Sequence, residues 1–155
     1  FGGETLTELR QALLQAEITE EGGASPRVSP YADVRDAGTL LQRAGFALPV
    51  VDRDRIQVTY EHVFSLMADL RLMGETNALR ERRRGFTRRA TMLTAAEEYL
   101  RRYADSGGRL IANFEIVYLT AWAPHPGQQK PLHPGGAKAS LAEALIGKIK
   151  DDPAR

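Results

Sequence analysis

The sequence predicts an α/β fold with helices flanking a short sheet, and three observations carry that expectation. Apolar residues recur at helical spacing in four separate stretches, beginning at Leu6, Val34, Val63 and Met92. The stretch from Leu110 to Ala123 is instead rich in β-branched and aromatic residues and runs unbroken, as an internal strand does. Two shorter stretches of like character, Ala47 to Val51 and Ile56 to Tyr60, offer it partners. With 155 residues and 43% hydrophobic content, the chain has one domain's length and enough apolar material for a packed core.

Thr5-Leu6-Thr7-Glu8 has the form of a capping box, with Thr5 as N-cap. Leu6, Leu9, Leu13 and Ala16 then form a buried stripe, and Gly22-Gly23 stops the helix after about Glu21. "ASPRVSP" reads as a loop, because each proline restricts the residue before it. Asp33 or Ser29 can cap a second helix, whose stripe is Val34, Ala37, Leu40, Leu41 and Ala44. Gly45 terminates it, and Phe46 packs back on it. The polar "DRDR" between the two short strands reads as a turn or a solvated kink.

Val63, Phe64, Leu66, Met67, Leu70 and Met73 define a third helix that Gly74 ends. "ETNALRERRRGF" is a polar, basic connection. Thr87 or Thr91 begins a fourth helix with Met92, Leu93, Ala96, Tyr99, Leu100 and Tyr103 as its apolar positions, and "DSGG" breaks it. In the long strand Phe114, Ile116, Tyr118 and Thr120 share one face, and Glu115, Val117, Leu119 and Ala121 the other. From Pro124 to Gly136 the chain is Pro/Gly-rich and reads as a linker, and "ASLAEALIGKIK" as a short terminal helix. By this count the long strand has few partners and the sheet is short of strands.

The net charge of +1 gives no global attraction for nucleic acid or membrane. The absence of Cys removes disulfides, thiolate metal sites and a Cys nucleophile, and makes the cytoplasm the plain reading. No apolar run approaches a membrane span, and "FGGETL" lacks the basic start and apolar core of a secretory signal. The chain opens without Met on what looks like a strand end, which points to a cut. No internal repeat is present.

The histidines at 62, 125 and 133 are too scattered for a metal site. Glu97-Glu98 and Asp151-Asp152 are sequence neighbours, which on a helix do not share a face, so neither is an acid–base pair. "GGE" and "GGR" lack phosphate-loop spacing, and no serine has a nucleophile-elbow context. Arg80, Arg82, Arg83, Arg84, Arg88 and Arg89 crowd one connection with Phe86 as its only aromatic. That cluster reads as a solvated surface, as a dock for an acidic protein or carboxylate, or as a nucleic-acid site, the last lacking interleaved stacking residues. "LMADLRLMGETN" is the most distinctive stretch. A helix ends at Gly74 and at once presents Glu75, Thr76 and Asn77, either as plain cap residues or as one wall of a pocket.

At these residues a resemblance emerges. "FGGETLTELR", "SPYADVRDAGTLLQRAGF", "IQVTYEHVFSLMADLRLMGETN" and "NFEIVYLTAWAP" resemble, in order, the C-terminal half of a class I S-adenosylmethionine-dependent methyltransferase. The groups it is similar to are the malonyl-acyl-carrier-protein methyltransferases of biotin synthesis and the complex I assembly methyltransferase-like proteins. The resemblance implies a Rossmann-like α/β fold, with residues 1–123 as the C-terminal half of the methyltransferase domain and 124–155 as a tail. "FGG" is then the end of the fifth strand of seven. The strand from Ala47 is the sixth, and that from Leu110 is the seventh, inserted between them. The glycine-rich cofactor loop and its acidic ribose ligand lie upstream in that family, so the cofactor-binding N-terminal half is absent from this chain. S-adenosylmethionine is expected only in the full-length protein, and the chain alone is expected to be inactive.

The implied acceptor is a carboxylate on an acyl carrier or a protein. The alternative is an assembly factor, non-catalytic or hydroxylating, that docks a subunit of respiratory complex I. The implied partner is an acidic protein, such as an acyl carrier protein or a respiratory-complex subunit, with no nucleic acid. Candidate substrate-side residues are Tyr60, Arg71, Glu75, Asn77 and Arg84, chosen as polar groups and helix ends near the expected cleft. No catalytic residue is assigned. A seventh strand short of its neighbour leaves an open edge, so the chain is expected to dimerise or swap elements.

Overall fold

A computed structural model of the chain describes residues 1–128. Four helices and two strands occur in the order α1 (Thr7–Glu21), α2 (Val34–Arg43), β1 (Ala47–Tyr60), α3 (Val63–Leu72), α4 (Arg89–Tyr103) and β2 (Leu110–Trp122). Residues Phe1–Ala123 form one compact unit, and a second begins at Pro124. Within that second unit the Gly127 N–H donates to His125 Nδ1 in a tight turn. The expected terminal helix lies outside the described residues.

β1 and β2 pair antiparallel from Val50↔Thr120 to Tyr60↔Leu110. The expected break at Asp52–Arg55 is absent, and the two short strands are one. Alternation explains this, because Arg53 and Arg55 share a face and reach Glu115 and Glu4 there, so the charged residues fit the ladder. Irregularity falls earlier, between Ala47 and Val50, where Leu48 has a φ of 49°.

The opposite edge of β2 carries the start of the chain. Gly2 N–H donates to the Glu115 carbonyl at 2.7 Å, and Leu6 N–H to the Asn113 carbonyl at 2.9 Å. β2 therefore lies between the Phe1–Leu6 segment and β1. Thr5 is not the N-cap of α1. Its hydroxyl exchanges hydrogen bonds with the backbone of Glu115, and Leu6, at a left-handed φ of 55°, occupies the cap position. Glu8 does not close a capping box either. Its carboxylate accepts from the Asn113 side chain on β2. A long-range tie to the sheet has displaced the local motif at both residues.

α1, α3 and α4 cover one face of the sheet. Their Leu6, Leu9, Leu13, Leu66, Leu70 and Tyr99 pack with Leu110, Ala112 and Phe114 in a single core. α2 lies on the other face, where Gly38 approaches Val51. Asp33 caps α2 through the Arg35 N–H, as the sequence predicts. Its apolar stripe is largely uncovered, however. Only Ala37 is buried, and Leu40 is 54% exposed. Neither Thr87 nor Thr91 caps α4. The cap position is Arg88, and both threonine hydroxyls bond to side chains of other elements.

Candidate functional site

The site starts at the end of α3. Gly74, at a φ of 79°, takes the left-handed conformation that closes a Schellman turn. Gly74 N–H donates to the Arg71 carbonyl and Glu75 N–H to the Leu70 carbonyl. The same pair of bonds closes α2, from Gly45 to Gln42 and from Phe46 to Leu41. The turn at Gly74 swings Glu75, Thr76 and Asn77 across the core toward the loop that follows α1. There the Asn77 amide donates to the Pro26 carbonyl at 2.7 Å, while its oxygen accepts from Leu79 N–H. The Tyr31 hydroxyl donates to the Glu75 carboxylate at 3.1 Å. Burial and that acceptor push the Tyr31 phenol up to about 12.

Between these two loops and the helices lies a cavity of about 260 Å³. Its floor is apolar, from Leu6, Leu9, Leu13, Met67, Leu70 and Met92, and its rim is polar, from Arg27, Ser29, Tyr31, Arg71, Glu75 and Asn77. An apolar floor with a few polar groups at the mouth is the ordinary make-up of a small-ligand site. Arg71 has no ion pair or side-chain hydrogen bond among the described residues, which leaves its guanidinium open to an anion.

Three glutamates on the last turns of α1 tie it to the two loops and to α4. Glu17 is buried and accepts from the Ser25 N–H, the Ser25 hydroxyl and Arg27 Nε. Burial alone would raise its pKa, but the Ser25 and Arg27 contacts outweigh it and hold the carboxyl below its ordinary value. Arg27 continues to the Thr87 hydroxyl at 2.7 Å. Glu21 ion-pairs with Arg83 and accepts from Thr91, and Glu20 accepts from Thr94.

The structure brings together three of the five residues named from sequence. Arg71, Glu75 and Asn77 line this cavity. Tyr60 lines a different, mostly apolar groove with Ile56, Leu72, Met73, Phe114 and Ile116. Its phenol is pushed up by burial and by Asp69. Arg84 is exposed and lines neither. Sequence reasoning missed Arg27 and Tyr31, both in the loop between α1 and α2. Their contacts to Thr87 and Glu75 span 60 and 44 residues, so no local pattern announces them.

A Cβ on Gly2 would collide with the Glu115 carboxylate, so that glycine serves close packing. Gly107 and Gly108 sit in a turn organised by Asp105, whose side chain accepts from Gly107 and Arg109 N–H groups. No cluster of three potential metal ligands occurs among the described residues. No helix there is long and apolar enough to cross a membrane.

No family model matches the chain, and no solved structure matches it. Curated proteins do. The chain is 44% identical over 152 residues to "Arginine-hydroxylase NDUFAF5, mitochondrial" of Danio rerio, covering 97% of this chain and 47% of that protein. Against the protein of the same name from Homo sapiens it is 44% identical over 151 residues, covering 97% and 43%. Against the "Malonyl-[acyl-carrier protein] O-methyltransferase" of Xylella fastidiosa it is 42% identical over 125 residues, covering 80% and 40%. The chain therefore spans under half the length of these relatives. Over that span its homologues are the NDUFAF5 hydroxylases and the malonyl-acyl-carrier-protein O-methyltransferases, the two groups that its sequence blocks resemble.

Proposed function

We propose that the chain is the acceptor-side half of a Rossmann-like methyltransferase. The enzyme moves a methyl group from S-adenosylmethionine to the free carboxylate of a short acyl chain on an acidic carrier protein. The observation that carries this reading is Arg71, an open guanidinium at the rim of a cavity with an apolar floor. A carboxylate acceptor needs a cation to hold it and a dry wall to receive its chain. Similarity to the malonyl-acyl-carrier-protein O-methyltransferases supports the reading. In it, this chain binds and orients the acceptor, and the methyl donor is held by parts of the protein outside it.

A second reading is an assembly factor that docks a protein subunit of respiratory complex I and either hydroxylates it or does not catalyse. The 44% identity over nearly the whole chain to proteins named arginine-hydroxylase favours it. Mass spectrometry of both acceptors, after incubation with full-length protein and S-adenosylmethionine, separates the two. One added methyl on the malonyl carrier, lost in Arg71→Ala, supports the first. An added oxygen on an arginine of the subunit, or no product, overturns it.

The cytoplasm is the compartment of the first reading. The hydroxylase relatives are named mitochondrial, so imaging of a tagged full-length protein bears on the same choice. We also propose that the edge of β2 beyond Glu115 pairs with a second copy of the isolated chain. A clean monomer in sedimentation at high concentration overturns that.

A further inference from the structure

The connection between α3 and α4, together with the first residue of α4, carries six arginines and one glutamate beyond Glu75, and the structure divides the arginines into two groups. Arg83 is spent on Glu21, and Arg82 donates to the Leu79 carbonyl. Arg80, Arg84, Arg88 and Arg89 are exposed and carry no ion pair or side-chain hydrogen bond among the described residues. Arg88 and Arg89 also stand at the N-terminus of α4, where the helix dipole disfavours a cation. Among them Phe86 is 100% exposed. A phenylalanine ring wholly in water beside unopposed cations contributes nothing to this fold.

Both ends of the segment are tied to the cavity wall. Asn77 lines the cavity and bonds to Pro26, and Thr87 accepts from Arg27, which lines it too. The exposed arginines and Phe86 thus sit on a segment anchored beside the mouth. Isolated apolar anchors ringed by arginine are the usual composition of a protein–protein hot spot. A lone aromatic is a poor platform for nucleic acid, which needs a series of stacking rings.

We propose that this segment is the docking surface for a small acidic carrier protein. Phe86 enters an apolar dimple on the partner, and Arg80, Arg84 and Arg88 face its acidic rim. The proposal rests on the reading of the adjoining cavity as the acceptor site, since a carrier docked here presents its arm to that mouth.

The test is binding of apo-acyl-carrier protein, which bears no acyl group, to the full-length protein at low and moderate salt. Binding should weaken with salt. Phe86→Ala should weaken it by about tenfold or more. The double variant Arg84→Glu, Arg88→Glu should abolish it, while Arg84→Lys, Arg88→Lys retains most of it. None of these side chains holds the fold, so the melting temperatures should match the parent's. Parent-like affinity in Phe86→Ala and in the charge-reversed variant overturns the proposal. So does binding of a duplex oligonucleotide in place of the carrier, or a loss explained by dissociation of a homodimer. Methyl transfer to a free malonyl thioester reads the cavity without the docking segment, so the two readings can fail separately.

Discussion

Replacing Glu17 by alanine tests how the two loops are held over the cavity. The carboxylate is 2% exposed and accepts from three donors on Ser25 and Arg27. Its removal leaves the Arg27 guanidinium, 15% exposed, with the Thr87 hydroxyl as its remaining side-chain partner. Stranding one member of a buried pair costs about 3–5 kcal/mol, and the partial exposure of Arg27 places this case near 3 kcal/mol. With a urea slope of about 1.5 kcal/mol/M, the midpoint should fall by about 2 M. Arg27→Met in the same background should recover much of the loss, giving a coupling energy of about 2 kcal/mol. The pH dependence has a definite sign. The folded-state pKa of Glu17 is depressed, so its contribution is fully present above the ordinary value of 4.5 and is lost as pH falls through the folded value. Parent and Glu17→Ala should therefore converge in acid. A loss under about 1 kcal/mol, or strict additivity with Arg27→Met, refutes the view that this pair holds the wall.

Tyr99→Phe removes the hydroxyl that donates to the Ile111 carbonyl at 2.8 Å, and should cost about 1 kcal/mol in the same urea experiment. Gly74→Ala meets no atom within 4 Å but imposes a Cβ on a φ of 79°, so it should cost about 1–2 kcal/mol from backbone conformation alone. Ultraviolet titration should find Tyr31 ionising near pH 12. Its contribution to stability should be full below its ordinary value of 10 and be lost as pH rises toward 12, a dependence that Tyr31→Phe abolishes.

Helix ends were the most legible features, because a glycine terminator acts through bonds to residues three to five positions back. Gly22, Gly45 and Gly74 all take positive φ where the pattern places a stop. For the same reason Arg71, Glu75 and Asn77 could be assigned to one helix end and found together. Starts were less legible. The hydroxyls of Thr5, Thr87 and Thr91 each have a local alternative, and each goes to a residue far along the chain. "DRDR" reads as a break because it is charged, although its residues alternate as a strand requires. Arg27 and Tyr31 follow from neither spacing nor composition. They matter because α1 returns a glutamate to one and the turn after α3 returns a glutamate to the other.

That alternation in β1 also bears on solubility. Arg53 and Arg55 find carboxylates on one face, so Asp52 and Asp54 fall on the other, directly across from Tyr118 and Ile116. This is the face that carries Ile56, Phe114 and Ile116 in the open apolar groove. Two carboxylates set into an apolar sheet face are gatekeepers. Stacking two such faces would bring four of them out of water with no cation among them. Self-association, where it occurs, is steered away from the face and toward the strand edge, so Asp52→Val, Asp54→Val should turn a well-behaved preparation into one that precipitates.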